Sequence, residues 1–141
     1  MLNRVTENWK QGKRTHVFVD EFHVVFENEH SGSFFNSAWR RFRKRNAYPT
    51  AITQNVEYLL DSVLASTMLS NSEFIVMLNQ AAADRQKLGS LLNISPEQMS
   101  YITNSDAGCG LLRYGSSLVP FINKFPRDTK LYKLMTTKPG E

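Results

Sequence analysis

An α/β layered domain is the fold class this chain predicts, on three observations. Short apolar runs rich in Val, Ile and Phe alternate with segments of helical period. The first of those runs, His16-Val17-Phe18-Val19, stops abruptly at two adjacent carboxylates, Asp20-Glu21. The last third changes character, to two β runs separated by a Gly-containing turn. Read in order, the elements are β-α-β-α-β-α-α-β-β behind a short N-terminal helix, with no internal repeat.

Each element has its own signal. Leu2, Val5 and Trp9 recur at helical spacing and Gln11-Gly12-Lys13 closes that helix. Residues 15–22 are Val- and Phe-rich without strict alternation, which predicts a strand buried on both faces of a parallel sheet. After the loop at 28–32, Ser31 or Ser33 is placed to cap a helix that carries Phe34, Phe35, Ala38, Trp39 and Phe42 on one stripe. Tyr48-Pro49 should stop it, leaving Thr50-Ala51-Ile52-Thr53-Gln54 as the second strand. Val56, Leu59, Leu60, Val63 and Leu64 predict one helix running to about Met68, and Phe74-Ile75-Val76-Met77-Leu78 a third strand. A helix over 80–92 follows. Ser95-Pro96-Glu97-Gln98 then combines a cap serine, proline at the first helical position and glutamine three after the cap. Gly110 to Arg113 and Ser117 to Phe121 predict a hairpin, with Pro120 marking its second arm as an edge. Residues 136–141 read as a polar tail.

Composition bounds the function classes. The 141 residues are 41% hydrophobic and 21% charged, a globular balance that suits one domain. The net charge of +4 is concentrated locally, in Arg40, Arg41, Arg43, Lys44 and Arg45, as suits an acidic surface, a nucleotide or a nucleic acid. A lone cysteine, Cys109, forms no internal disulfide and lies beside no base, so a reducing cytoplasm is expected and nucleophilic catalysis is not. No apolar run approaches the roughly 18 residues of a spanning helix. His16, His23 and His30 recur every seven residues, but across a strand and a loop that spacing does not converge them on a metal.

The chemistry points to strand ends. Ligands of open α/β sheets bind beyond the carboxyl ends of the strands, where Asp20-Glu21 and Gln54 both fall. An apolar strand ending in two carboxylates has the form of a Walker B strand, whose first carboxylate holds Mg²⁺ and whose second polarises the attacking water. Gln54 adds an amide able to accept from that water and donate to a phosphate. A plain solvated strand end is the competing reading. No G-x-x-x-x-G-K-[ST] loop occurs in the 141 residues, so the phosphate-cradling half is expected to lie elsewhere.

Val17-Phe18-Val19-Asp20-Glu21-Phe22, Arg43-Lys44-Arg45-Asn46, Ala51-Ile52-Thr53-Gln54-Asn55, Gly110-Leu111-Leu112 and Val119-Pro120-Phe121 together resemble the C-terminal part of the traffic ATPase of conjugative type IV secretion systems, in particular of Gram-positive conjugative elements. The resemblance implies a partial RecA-like P-loop fold with a mostly parallel sheet and a C-terminal hairpin, residues 1–141 being the portion of one domain that lacks the Walker A half. It implies ATP and Mg²⁺ as ligands, with Asp20 on the metal, Glu21 as the base and Gln54 as a sensor. It further implies homo-oligomers, partnership with channel and coupling components, transfer of DNA or protein, and a cytoplasmic place at the inner face of the membrane.

The basic helix end stays open between three readings: Arg43 or Lys44 as a finger on a neighbouring subunit's γ-phosphate, contact of Arg40, Arg41, Lys44 and Arg45 with phosphate or DNA, or a solvated terminus that complements the helix dipole. Arg113 beside the hairpin turn is a further interface candidate. Alone, the chain is expected to turn over no ATP and to self-associate through apolar surface the absent half would cover. The alternative is a non-catalytic module that binds a partner ATPase, a channel protein or DNA.

Overall fold

The computed structural model describes residues 1–54 and 56–136, which fall in two units, Met1–Ser72 and Glu73–Glu141. In the first unit α1 (Leu2–Lys10) leads into β1 (Thr15–Val19), and Gly12, at φ +70°, makes the turn between them. A 3₁₀ turn (Phe22–Phe26) precedes α2 (Glu29–Lys44), which returns the chain to β2 (Ala47–Ala51). β1 and β2 pair in parallel, with Thr15 opposite Ala47 and Val19 opposite Ala51. A crossover helix is what such a parallel pair requires, and α2 supplies it. Then come α3 (Glu57–Asp61) and α4 (Val63–Ser70).

Two apolar clusters hold this unit. Val5, Ala38, Phe42 and Ala47 pack with Leu2, Val17 and Trp39, while Phe22, Leu59, Ala65 and Met68 pack with Val19, Val25, Phe26, Phe35 and Trp39. Val17 and Val19 therefore face the core. The alternate residues of β1 do not: Phe18 is 68% exposed, and His16 stacks on Tyr48 at 5.4 Å between ring centroids, with the Arg14 guanidinium 5.3 Å from the Tyr48 ring. The expected burial of β1 on both faces is thus corrected to burial on one, because both clusters pack on the Val17/Val19 side.

Three boundaries also move. Asn28, not Ser31 or Ser33, caps α2, its Oδ1 accepting the N–H of His30 at 2.9 Å and of Ser31 at 3.4 Å. β2 begins at Ala47 and takes Pro49 inside it, opposite Val17, so Pro49 does not separate helix from strand. An edge position tolerates the missing donor. The helix expected from Val56 to Met68 is broken at Ser62, whose extended backbone ends α3 while its Oγ accepts the Ala65 N–H to start α4.

In the second unit β3 (Phe74–Met77) is followed by α5 (Ala82–Leu92), which ends where Asn93 turns left-handed, and by α6 (Pro96–Met99). Ser95 and Gln98 complete the reciprocal capping box expected of their spacing. β4 (Cys109–Tyr114) and β5 (Ser117–Ile122) form the hairpin about Gly115-Ser116, with Gly115 at φ +56°. A two-residue hairpin loop of this kind wants glycine first. β3 joins β4 antiparallel, Met77 opposite Leu111, and β5 is the edge strand that Pro120 demands. The α/β class and the hairpin stand as read, whereas among the described residues the parallel pairing is confined to β1–β2. Met77, Leu88, Ile102 and Leu111 are buried in this unit. Its last element, α7 (Lys130–Met135), was not anticipated; Thr129 caps it by accepting the Tyr132 N–H. Asn55 and the tail beyond Thr136 lie outside the described residues.

Candidate functional site: a carboxylate edge beyond a parallel strand pair

The site begins where β1 ends. Glu21 adopts φ 47° and ψ 46°, a left-handed conformation that costs a side-chain-bearing residue about 1–2 kcal/mol. What holds it there lies on either side. The Glu21 N–H donates to Asp20 Oδ1 at 2.9 Å, and Phe22, 3% exposed, drives into the core against Phe26, Phe35 and Trp39 with ring centroids 5.3, 6.0 and 5.2 Å away. The sharp turn buries Phe22 and leaves both carboxylates exposed.

The chain beyond β2 is drawn to the same edge. Ile52 donates its N–H to the Val19 carbonyl, and Phe22 donates its N–H to the Ile52 carbonyl, each at 2.9 Å. These bonds carry the pairing past the last ladder residue, so Thr53 and Gln54 arrive beside the carboxylates although Gln54 lies three residues beyond β2. Gln54 Nε2 is 3.5 Å from Glu21 Oε1. His23 Nδ1 lies 3.0 Å from Thr53 Oγ1 and 3.4 Å from Glu21 Oε2. Asp20, Glu21 and Gln54, predicted together from strand ends, are thus brought together. His23 and Thr53 complete the cluster. Their heptad-like spacing hid the histidines' individual positions; the signal that would have found His23 was its place two residues after Glu21.

Chemically this edge offers carboxylate oxygens and a donor amide over an apolar floor. Such oxygens suit a hard cation that keeps much of its water, and an ionised glutamate accepting hydrogen bonds is oriented to take a proton.

The basic residues separate. Arg40, Arg41, Arg43 and Lys44 are exposed on the last turns of α2, whose C-terminal carbonyls favour positive charge. Arg45 is partly buried and its Nη1 donates to Thr6 Oγ1 at 2.7 Å, tying the end of α2 to α1. Arg113 is partly buried in the hairpin: its Nε donates to the Gly115 carbonyl at 3.1 Å, and its Nη1 is buried with no hydrogen-bond partner among the described residues. No helix among the described residues is long and apolar enough to cross a membrane.

No protein-family model matches the chain, and comparison with curated proteins returns no match. Among solved structures, VirB4 of Thermoanaerobacter pseudethanolicus superimposes with a TM-score of 0.74 over 80% of this chain, at 24% sequence identity. The chain spans 32% of the length of that VirB4 chain, about a third. The likeness establishes the fold, a partial RecA-like α/β arrangement.

Proposed function

We propose that the chain is part of a type IV secretion ATPase of the conjugative, Gram-positive-element kind, and that it carries the Walker B and sensor side of the ATP site. The observation that carries this reading is the approach of Gln54 Nε2 to Glu21 Oε1, 3.5 Å across the end of a parallel strand pair, next to Asp20. A solvated strand end has no need to gather an acid pair and an amide from chain segments more than 30 residues apart.

The donor set fits Mg-ATP. Asp20 is exposed and presents only oxygens, as a Mg²⁺ that retains several waters and shares phosphate oxygens requires. Asp20 would hold the Mg²⁺, which would supply positive charge against the phosphates. The Glu21 N–H, donating to Asp20 Oδ1 at 2.9 Å, fixes the carboxylate that would hold the ion. Glu21 orients a water and takes its proton; Gln54 donates from the side of the terminal phosphate. Phosphate binding itself belongs to residues outside these 141, so hydrolysis, assembly into homo-oligomers, docking on channel and coupling components at the inner face of a membrane, and transfer of DNA or protein are properties of the longer protein. Arg43 acts as a finger on a neighbouring subunit in this reading, with Arg40, Arg41 and Lys44 toward phosphate or DNA, and the exposed β1–β2 face with Phe18 drives self-association of the isolated chain.

In a longer chain that supplies a phosphate-binding loop, Glu21→Gln keeps nucleotide binding and lowers turnover by roughly 100-fold or more, the usual cost of losing a general base. Equal turnover in parent and variant removes Glu21 from the mechanism. The finger is tested by mixing Arg43→Ala with Asp20→Ala subunits: each alone is slow, and mixed assemblies regain part of the activity because intact sites form at one class of interface. Mixed assemblies with no recovery exclude a finger acting across subunits.

A further inference from the structure

We infer that His23 is a positioning residue for Glu21, its Nδ1–H spanning the Glu21 carboxylate and the Thr53 hydroxyl so that the two strand ends set where that carboxylate points. The inference rests on the reading of Glu21 as the water-orienting group. The geometry is specific to one ring nitrogen: Nδ1 is 3.0 Å from Thr53 Oγ1 and 3.4 Å from Glu21 Oε2. An ionised carboxylate only accepts, so a bare nitrogen lone pair facing it would be repelled. The proton therefore sits on Nδ1, where it reaches the carboxylate, and the hydroxyl of Thr53 accepts from the same N–H.

The partners differ in freedom. The His23 side chain is 17% exposed and sits in the 3₁₀ turn next to buried Phe22, while the Glu21 side chain is 49% exposed. The fixed ring thus directs the freer carboxylate. Gln54 Nε2 approaches the other oxygen, Oε1, at 3.5 Å. With a donor at each oxygen the carboxylate plane is defined.

Two measurements test this. Long-range proton–nitrogen spectra of the 1–141 chain with ¹⁵N-labelled histidine, recorded where histidines are neutral, should show His23 with its proton on Nδ1, against the Nε2–H form usual in water. Glu21→Gln and Thr53→Val should each move it toward the Nε2–H form. A parent His23 protonated on Nε2, or a ring indifferent to both substitutions, would overturn the inference. In the longer chain with a phosphate-binding loop, His23→Ala should lower kcat roughly tenfold with KM for ATP unchanged, and His23→Asn, whose amide nitrogen sits near the place of Nδ1, should restore most of it. A rise in KM matching the fall in kcat, or no rescue by Asn, would show a merely structural residue. The spectra do not depend on catalysis, so a Glu21→Gln variant of undiminished turnover would remove Glu21 from the mechanism without touching the tautomer result.

Discussion

The parallel strand pair and the antiparallel sheet of this molecule use similar apolar sequences for different ends. β1 and β2 are joined by a 16-residue helix, so their carboxyl ends lie side by side and deliver Asp20, Glu21, Thr53 and Gln54 to one edge. β4 and β5 are joined by two residues, and β3 adds beside them, so successive strand ends point in opposite directions. Consecutive turns then cannot gather polar groups on one edge. What the antiparallel sheet gathers is packing: Leu111 and Ile102 are fully buried, and Gly110 lets its strand approach so closely that an added Cβ would collide with the Met77 carbonyl oxygen. Connection length, more than strand composition, decides which sheet can carry chemistry.

The largest expected effect follows from that packing. Leu111→Ala removes a fully buried side chain from β4, the strand between β3 and β5, a change that costs about 2–5 kcal/mol in a core of this kind. Denaturant unfolding should register the loss. Hydrogen exchange should place it in residues 73–136 and leave the protection of the Ile52 and Phe22 amides, which close the carboxylate edge, near its original value. Equal loss of protection at both places would break the comparison, since the two sheets would then be one cooperative structure.

Much of this contrast was legible in the residues. A glycine at the hairpin turn, a proline on its outer arm and a capping box at Ser95 each have a local physical cause, and each fell where its cause placed it. The carboxylate pair was legible for the same reason: an apolar run ends and two acids follow. What was not legible depends on partners distant in sequence. The one-sided burial of β1 is set by which side α1, α2, α3 and α4 cover, and Val-Phe-Val carries no record of that. Pro49 reads as a helix stop until an edge position makes it harmless in a strand. His23 acquires a role only when Thr53, 30 residues away, is brought to it. Asn28 was overlooked because two serines nearby have the same capping chemistry, and the choice among them is made by the turn that precedes α2.

That last correction supplies an effect of intermediate size. Asn28 Oδ1 satisfies two otherwise unpaired amides at the start of the crossover helix, so Asn28→Ala should cost about 1 kcal/mol, with Ser31→Ala costing a few tenths at most. Because α2 is the element that makes the pair parallel, the loss should appear in the first unit, as faster exchange of the early α2 amides. If Ser31→Ala proved the more damaging, the helix would begin a turn later than its cap geometry indicates.

The smallest effect is electrostatic and belongs to the second unit. The Ser95 hydroxyl, donating to Glu97 Oε2 at 2.7 Å, is the chief cause that holds the Glu97 carboxyl below the ordinary carboxylate range, with the Glu97 backbone N–H second. A folded pKa below the unfolded one means the ionised form is favoured by folding. Its contribution is complete above the unfolded-state value and disappears as pH falls through the folded one, so the second unit should weaken slightly on acidification. Glu97 is fully exposed, which keeps the effect small. A carbon-detected titration of the Glu97 carboxyl should find its midpoint raised toward the ordinary value in Ser95→Ala and unmoved in Asn28→Ala. A midpoint that stays low in Ser95→Ala would transfer the cause to the backbone amide. One that moves in Asn28→Ala would mean that a cap in the parallel unit reaches a carboxylate in the antiparallel one, against the separation of roles that the two sheets display.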